Sequence, residues 1–111
     1  VNSYGDLKEN IAIQQPGDRE KITGGSFFVV GIARTGADAE IIIEALDYQG
    51  EIVTKTKAPL SFPQDSEYGL FVGELAYDVE IPTWVRLQVI SKIPRLQGID
   101  HISSVEILLS P

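Results

Sequence analysis

His101 follows Asp100 directly and is the only histidine among the 111 residues. Imidazole titrates near neutral pH, and a neighbouring carboxylate can orient it as a general base. A catalytic reading would begin there, but it gathers no further groups. No Gly-x-Ser-x-Gly elbow strains a serine into a nucleophile, and Ser103 and Ser104 sit in a strand-like run with nothing to activate them. The chain has no cysteine, which excludes thiolate nucleophiles, disulfides and zinc–thiolate sites. With no acid, base and nucleophile collected together, the expectation is a protein that is not an enzyme. His101 then reads as a surface position at the start of the last strand.

Metal and phosphate chemistry fare no better. Gln64-Asp65-Ser66-Glu67 is the densest group of oxygen donors, with Asp47 near Gly50 and the pair Asp78 and Glu80 as further candidates for Ca²⁺. Calcium takes about six to eight oxygens, and none of these stretches has the spacing of a calcium loop, so they read as solvated acidic loops. Gly24-Gly25 lacks the lysine and following helix of a phosphate loop and reads as a turn. No metal and no cofactor is expected. Exposed aromatics are the more informative group, because carbohydrate stacks on them. Trp84 leads among these, two residues from Arg86 and on the same side by alternation. Tyr48 falls at a hairpin tip and Tyr77 in the core, with Tyr68 as a further aromatic.

Those residues need a scaffold, and composition bounds it. A chain of this length makes one domain with room for a core. Hydrophobic residues make up 43% and charged residues 23%, as in folded domains. Nine Lys and Arg against sixteen Asp and Glu leave a net charge of −7. Nucleic acid and anionic lipid are therefore poor partners, since both are bound by clustered cations. No apolar run reaches the roughly 20 residues of a membrane helix. The chain starts at Val1 without methionine or a signal-like segment, and reads as a mature or trimmed polypeptide.

Residues 1–9 are polar and unpatterned, a tail or linker before a domain over 10–111. NIAIQQ alternates, and Pro16-Gly17-Asp18 ends it as a turn. AEIIIEALDY tolerates a helix, yet three consecutive isoleucines favour a strand. DYQGEIV reads as a hairpin into EIVTKTK, whose lysines and threonines suit an exposed edge. Residues 58–69 form the longest irregular connection. LFVGELAYD places Phe71, Leu75 and Tyr77 on one side. TWVRLQVISK sets Val85, Leu87 and Val89 against Arg86 and Gln88, and residues 93–100 form a loop before HISSVEILL. About seven strands separated by turns, without any long helical period, predict an all-β antiparallel sandwich.

GGSFFVVGIART breaks the expected alternation. Phe27, Val29, Gly31 and Ala33 form one face, while Phe28, Val30, Ile32 and Arg34 form the other, so both faces are largely apolar. Two explanations remain open. A β-bulge near Gly31 could switch which side points inward, with the chain's own loops and tail covering the rest. Alternatively, the outer sheet surface is apolar because a protein partner, a sibling domain or a second copy sits on it.

FFVVGIA, then IIIEALDYQGEIV with its Leu-Asp-x-x-Gly hairpin, EYGLFVGELAYD, and the closing VEILL together resemble the immunoglobulin-like domain of bacterial spore germination and related envelope proteins. IAIQQPGD is similar to that family's opening strand and turn, with Gln15-Pro16 standing where the family has Ser-Pro. The resemblance spans residues 10–109. It implies an immunoglobulin-like sandwich in an exported or envelope-attached protein, extracellular and in some cases lipid-anchored, acting as an accessory module beside other domains.

The functional expectation is a non-catalytic module presenting a sheet face and the loops 58–69 and 93–100 to a protein or cell-wall component, self-association included. Phe28, Val30, Ile32, Trp84 and Arg86 are the candidate binding residues. The alternative is a carbohydrate-binding module using exposed aromatics such as Trp84.

Overall fold

The computed structural model describes residues 11–34, 40–62, 68–92 and 99–111, the side chains of 99–101 excepted. The tail 1–9, the oxygen-rich stretch 64–67, residues 93–98 of the second loop and the His101 side chain lie outside the described residues. The strands are β1 (Ile11–Gln15), β2 (Lys21–Ile22), β3 (Ser26–Ala33), β4 (Glu40–Leu46), β5 (Ile52–Ala58), β6 (Leu60–Ser61), β7 (Gly69–Ala76), β8 (Thr83–Lys92) and β9 (Ile99–Leu109). They form a four-stranded sheet in the order β1-β3-β7-β6 and a five-stranded sheet in the order β2-β9-β8-β4-β5. Seven strands have five residues or more, and β2 and β6 have two each. The expected all-β sandwich is present. Its strand order is that of an immunoglobulin sandwich, with β1, β3, β7 and β6 as one layer and β9, β8, β4 and β5 in the other. The opening segment splits between the layers: β1 pairs antiparallel with β3, and β2 runs parallel to β9.

β3 settles the question posed by its own sequence. Its inward row, Phe27, Val29, Gly31 and Ala33, is buried, and burial alternates along its whole length. Its register with β7 is unbroken from Ser26 to Ala33, so the first of the two explanations, a bulge near Gly31, does not apply to this strand. The irregularity lies across the ladder in β1, where Ile13 pairs with Gly31 and Gln15 with Val30, leaving Gln14 as the extra residue. Gly31 has a packing role. A Cβ there would come within 2.5 Å of both the Ala12 carbonyl oxygen and Phe71 Cζ, so only glycine lets the Phe71 ring and β1 approach β3 this closely.

The core lies between the layers. Val29 and Phe71 from the first sheet meet Ile43, Leu87, Val89 and Ile107 from the second, each at most 1% exposed. Each such side chain contributes about 1.5–3 kcal/mol by leaving water. Three consecutive isoleucines work in β4 because Ile41 and Ile43 point into this core at odd positions. Tyr77, beyond the end of β7, closes one end. Its hydroxyl donates to the Ser110 carbonyl at 2.6 Å, with the Ile22 carbonyl at 3.2 Å, and its amide donates to the Gly25 carbonyl.

Two connections bear on the surfaces described below. The β4–β5 hairpin turns on Asp47, whose Oδ1 accepts from the amides of Gln49 and Glu51, while Gly50 takes φ 80°. Within the connection expected over 58–69, Leu60 and Ser61 extend the first sheet by pairing with Phe71 and Leu70. β5 ends the second sheet, and its lysines and threonines occupy the exposed edge as anticipated.

Candidate interaction surfaces

Two-residue periodicity sends Phe28, Val30 and Ile32 outward from β3, and the register sets them opposite Glu74, Val72 and Leu70 of β7. Phe28 is 54% exposed, Val72 52% and Leu70 45%, while Val30 and Ile32 are half-buried by their neighbours. Ala12 of β1 flanks Ile32 on one side, and Ser61 of β6 flanks Leu70 on the other. Glu74 is the one charged side chain in this array of eight. Leu70 and Val72 were not among the expected binding residues. Their signal was available: they alternate with the inward Phe71 and Gly73, so the same parity that buries Phe71 exposes them.

The outer face of the second sheet is built differently. Gln88 Nε2 donates to Glu44 Oε1 at 2.5 Å, and Lys57 Nζ lies 3.7 Å from Glu40 Oε2. Lys55 stands opposite Glu44 in register, and Arg86 opposite Glu106. Apolar outward residues do occur there, in the cross-strand row Ile42, Ile90 and Ile102 and in the pairs Leu46–Ile52 and Trp84–Leu108. Ile42 and Ile90 are nonetheless 8% and 7% exposed, which leaves Ile102 and Ile52 as the strongly exposed members, separated from each other by the charged pairs.

Trp84 and Arg86 lie on this second sheet, so the five candidate binding residues do not form one site. Phe28, Val30 and Ile32 occupy one outer face of the sandwich, and Trp84 and Arg86 occupy the opposite one. Trp84 is half-buried. The cover is a cation: Arg19 Cζ sits 4.2 Å from the ring centroid. Arg19 is held there from several directions. Its backbone has φ 69°, its amide donates to the Glu106 carbonyl at 2.6 Å, and its guanidinium pairs with Glu106 Oε1 at 3.2 Å. Asp18 Oδ1 accepts from the Glu106 amide beside it.

Next to this clasp, Trp84, Tyr48, Ile81 and Pro82 line an open depression of about 310 Å³. A second depression, of about 240 Å³, adjoins it and is bounded by Tyr48, Arg86, Val85 and Glu106. Tyr48 stands between the two, 82% exposed at the hairpin tip. The carboxylates here already have backbone or arginine partners: Asp47 caps the turn and Glu106 holds Arg19. A planar aromatic edge with polar groups around it suits stacking and hydrogen bonding more than proton transfer. Among the described residues no three His, Asp or Glu side chains are grouped to hold a metal ion. No helix among them is long and apolar enough to cross a membrane. No protein-family model matches the chain, and no curated protein matches its sequence.

Proposed function

We propose that this domain is a non-catalytic interaction module that docks a protein through the outer face of its four-stranded sheet. One observation carries the reading: of the two outer faces of the same sandwich, only this one aligns Phe28, Val30, Ile32, Leu70 and Val72 in adjacent pairs with a single charge, Glu74, among them. A folded domain keeps such contiguous apolar surface where something binds to it. The charged pairs across the second sheet are what a water-facing surface of this protein looks like. In the setting implied by the resemblance to spore germination domains, the partner is another component of a bacterial envelope.

Site-specific photo-crosslinking tests this in cells that make the protein. A photoreactive side chain at position 72 should yield discrete adducts, and the same group at the exposed position 104 on the other sheet should not. Equal labelling at 72 and 104 would remove the reading.

Glycan binding is the second reading, favoured by the placement of Tyr48 and Trp84 on one depression. Arg19 occupies one face of the Trp84 ring, so a sugar would stack on Tyr48 or on the remaining part of Trp84. Retention on insoluble peptidoglycan or polysaccharide, lost in Tyr48→Ala and Trp84→Ala, supports it. Passage through every such matrix without retention rules it out.

A further inference from the structure

We infer that Arg19 is a displaceable cover on the Trp84 ring, an autoinhibitory contact that a ligand of the Tyr48–Trp84 depression must expel. The inference rests on the glycan reading of that depression and adds how the site is gated. Its basis is a difference between the backbone and the side chain of one residue. The backbone is fastened to β9: the Arg19 amide donates to the Glu106 carbonyl at 2.6 Å, Asp18 Oδ1 accepts from the Glu106 amide, and the Leu108 amide donates to the Glu20 carbonyl. The side chain has only exposed contacts. Its Cζ lies 4.2 Å from the Trp84 ring centroid, and its guanidinium is 3.2 Å from Glu106 Oε1 in an ion pair whose side chains are both more than half exposed.

The backbone conformation points the same way. Arg19 has φ 69°, a left-handed conformation that residues with a Cβ seldom take. Such strain persists where surrounding bonds fix it, and it gathers at sites of function. Here it aims a long cation from the segment before β2 across β9 and onto β8. A guanidinium is planar and stacks on an aromatic face, so it fills the place that a sugar ring would take.

Release needs no unfolding. The Arg19 side chain can swing into water while its amide stays bonded to β9. Glu106 is not stranded by this, because Arg86 stands opposite it in the β8–β9 ladder, within cross-strand reach. The two forms then differ in which arginine the carboxylate holds: Arg19 with the ring covered, or Arg86 with the ring bare. A surface ion pair and an exposed cation–π contact together favour the covered form by about threefold to tenfold. A ligand that requires the bare ring binds more weakly by that factor.

Trp84 is the only tryptophan, so its fluorescence reads the cover directly. Acrylamide should quench Arg19→Gln more steeply than the wild type. Glu106→Gln, which leaves Arg19 and its backbone bonds untouched, should fall between them, and it decides the matter if Arg19→Gln does not fold. Retention on insoluble peptidoglycan, chitin and cellulose reads the consequence. On a matrix that holds the wild type, Arg19→Gln should bind about threefold to tenfold more tightly. Quenching equal to the wild type overturns the inference, and so does a matrix that holds the wild type and retains Arg19→Gln no better. The glycan reading survives either result. Retention of neither protein on any of the three matrices sinks the glycan reading and the gate together.

Discussion

Gly31 of β3 and Phe71 of β7 are direct partners in register, and a Cβ at position 31 would fall 2.5 Å from Phe71 Cζ. The Ala12 carbonyl oxygen of β1 closes the other side at the same distance. Neither neighbour can retreat cheaply, because one is a core ring 1% exposed and the other is backbone in a ladder. Gly31→Ala should therefore cost about 1–3 kcal/mol of stability, the usual penalty of overpacking. Gly50→Ala has open space around it and meets only the cost of φ 80°, about 1–2 kcal/mol. Urea unfolding of the two variants checks the order, and an unshifted midpoint for Gly31→Ala would contradict the packing described.

Phe71 and Val72 are neighbours in sequence and point in opposite directions. A lysine at 71 would bury a charge in the centre of the core, so Phe71→Lys should not give a folded protein. Val72→Lys exchanges one half-exposed side chain for another and should shift stability by less than about 0.5 kcal/mol. Circular dichroism and thermal unfolding separate the two outcomes. Val72→Lys should also lower binding of a hydrophobic dye, since it places a charge in the middle of the exposed stripe.

Tyr77 ties β7 to the carbonyls of Ser110 and Ile22 through one hydroxyl. Tyr77→Phe keeps the ring against Phe27 and removes the hydroxyl donor from the Ser110 carbonyl, while the Ile22 carbonyl keeps the Ser110 amide. The expected loss is about 1–2 kcal/mol. Hydrogen exchange should quicken at Leu108 and Ser110, whose amides bond to the opening segment at Glu20 and Ile22. Unchanged exchange at both amides would show that the hydroxyl does not hold the β2–β9 closure.

Arg19 touches both Trp84 and Glu106, and the two contacts differ in strength. The ion pair has side chains 61% and 51% exposed, and surface pairs of this kind contribute little, below about 0.5 kcal/mol here. The guanidinium over Trp84 should contribute about 0.5–1 kcal/mol. Double-mutant cycles with Arg19→Gln, Trp84→Phe and Glu106→Gln measure each coupling. Raising the salt concentration should diminish the Glu106 coupling more. A larger coupling to Glu106 than to Trp84 would reverse this assignment.

Much of the layered fold was legible in the sequence because alternation is a local property. A residue in a strand faces one side or the other by parity, so the inward rows of β3, β7 and β8 and the edge character of β5 could be read position by position. The hairpin at Asp47–Gly50 was equally local, since the turn depends on one carboxylate and one glycine. The same parity also marked Phe28, Val30 and Ile32 as outward. It could not say whether they were exposed, because a bulge would have reversed them, and the register irregularity fell in β1 instead.

What tertiary structure alone decided is which strands became neighbours. Parity carries no information about pairing between distant segments. It therefore could not reveal that Trp84 and Arg86 lie on the sheet opposite Phe28, nor that Leu70 and Val72 complete the Phe28 stripe. Nor could it show that Arg19, following a turn read only as a break, reaches across to cover Trp84. Side is set by two-residue periodicity within a strand, whereas a surface is set by the register between strands, and register is settled only when the two layers close on a shared core.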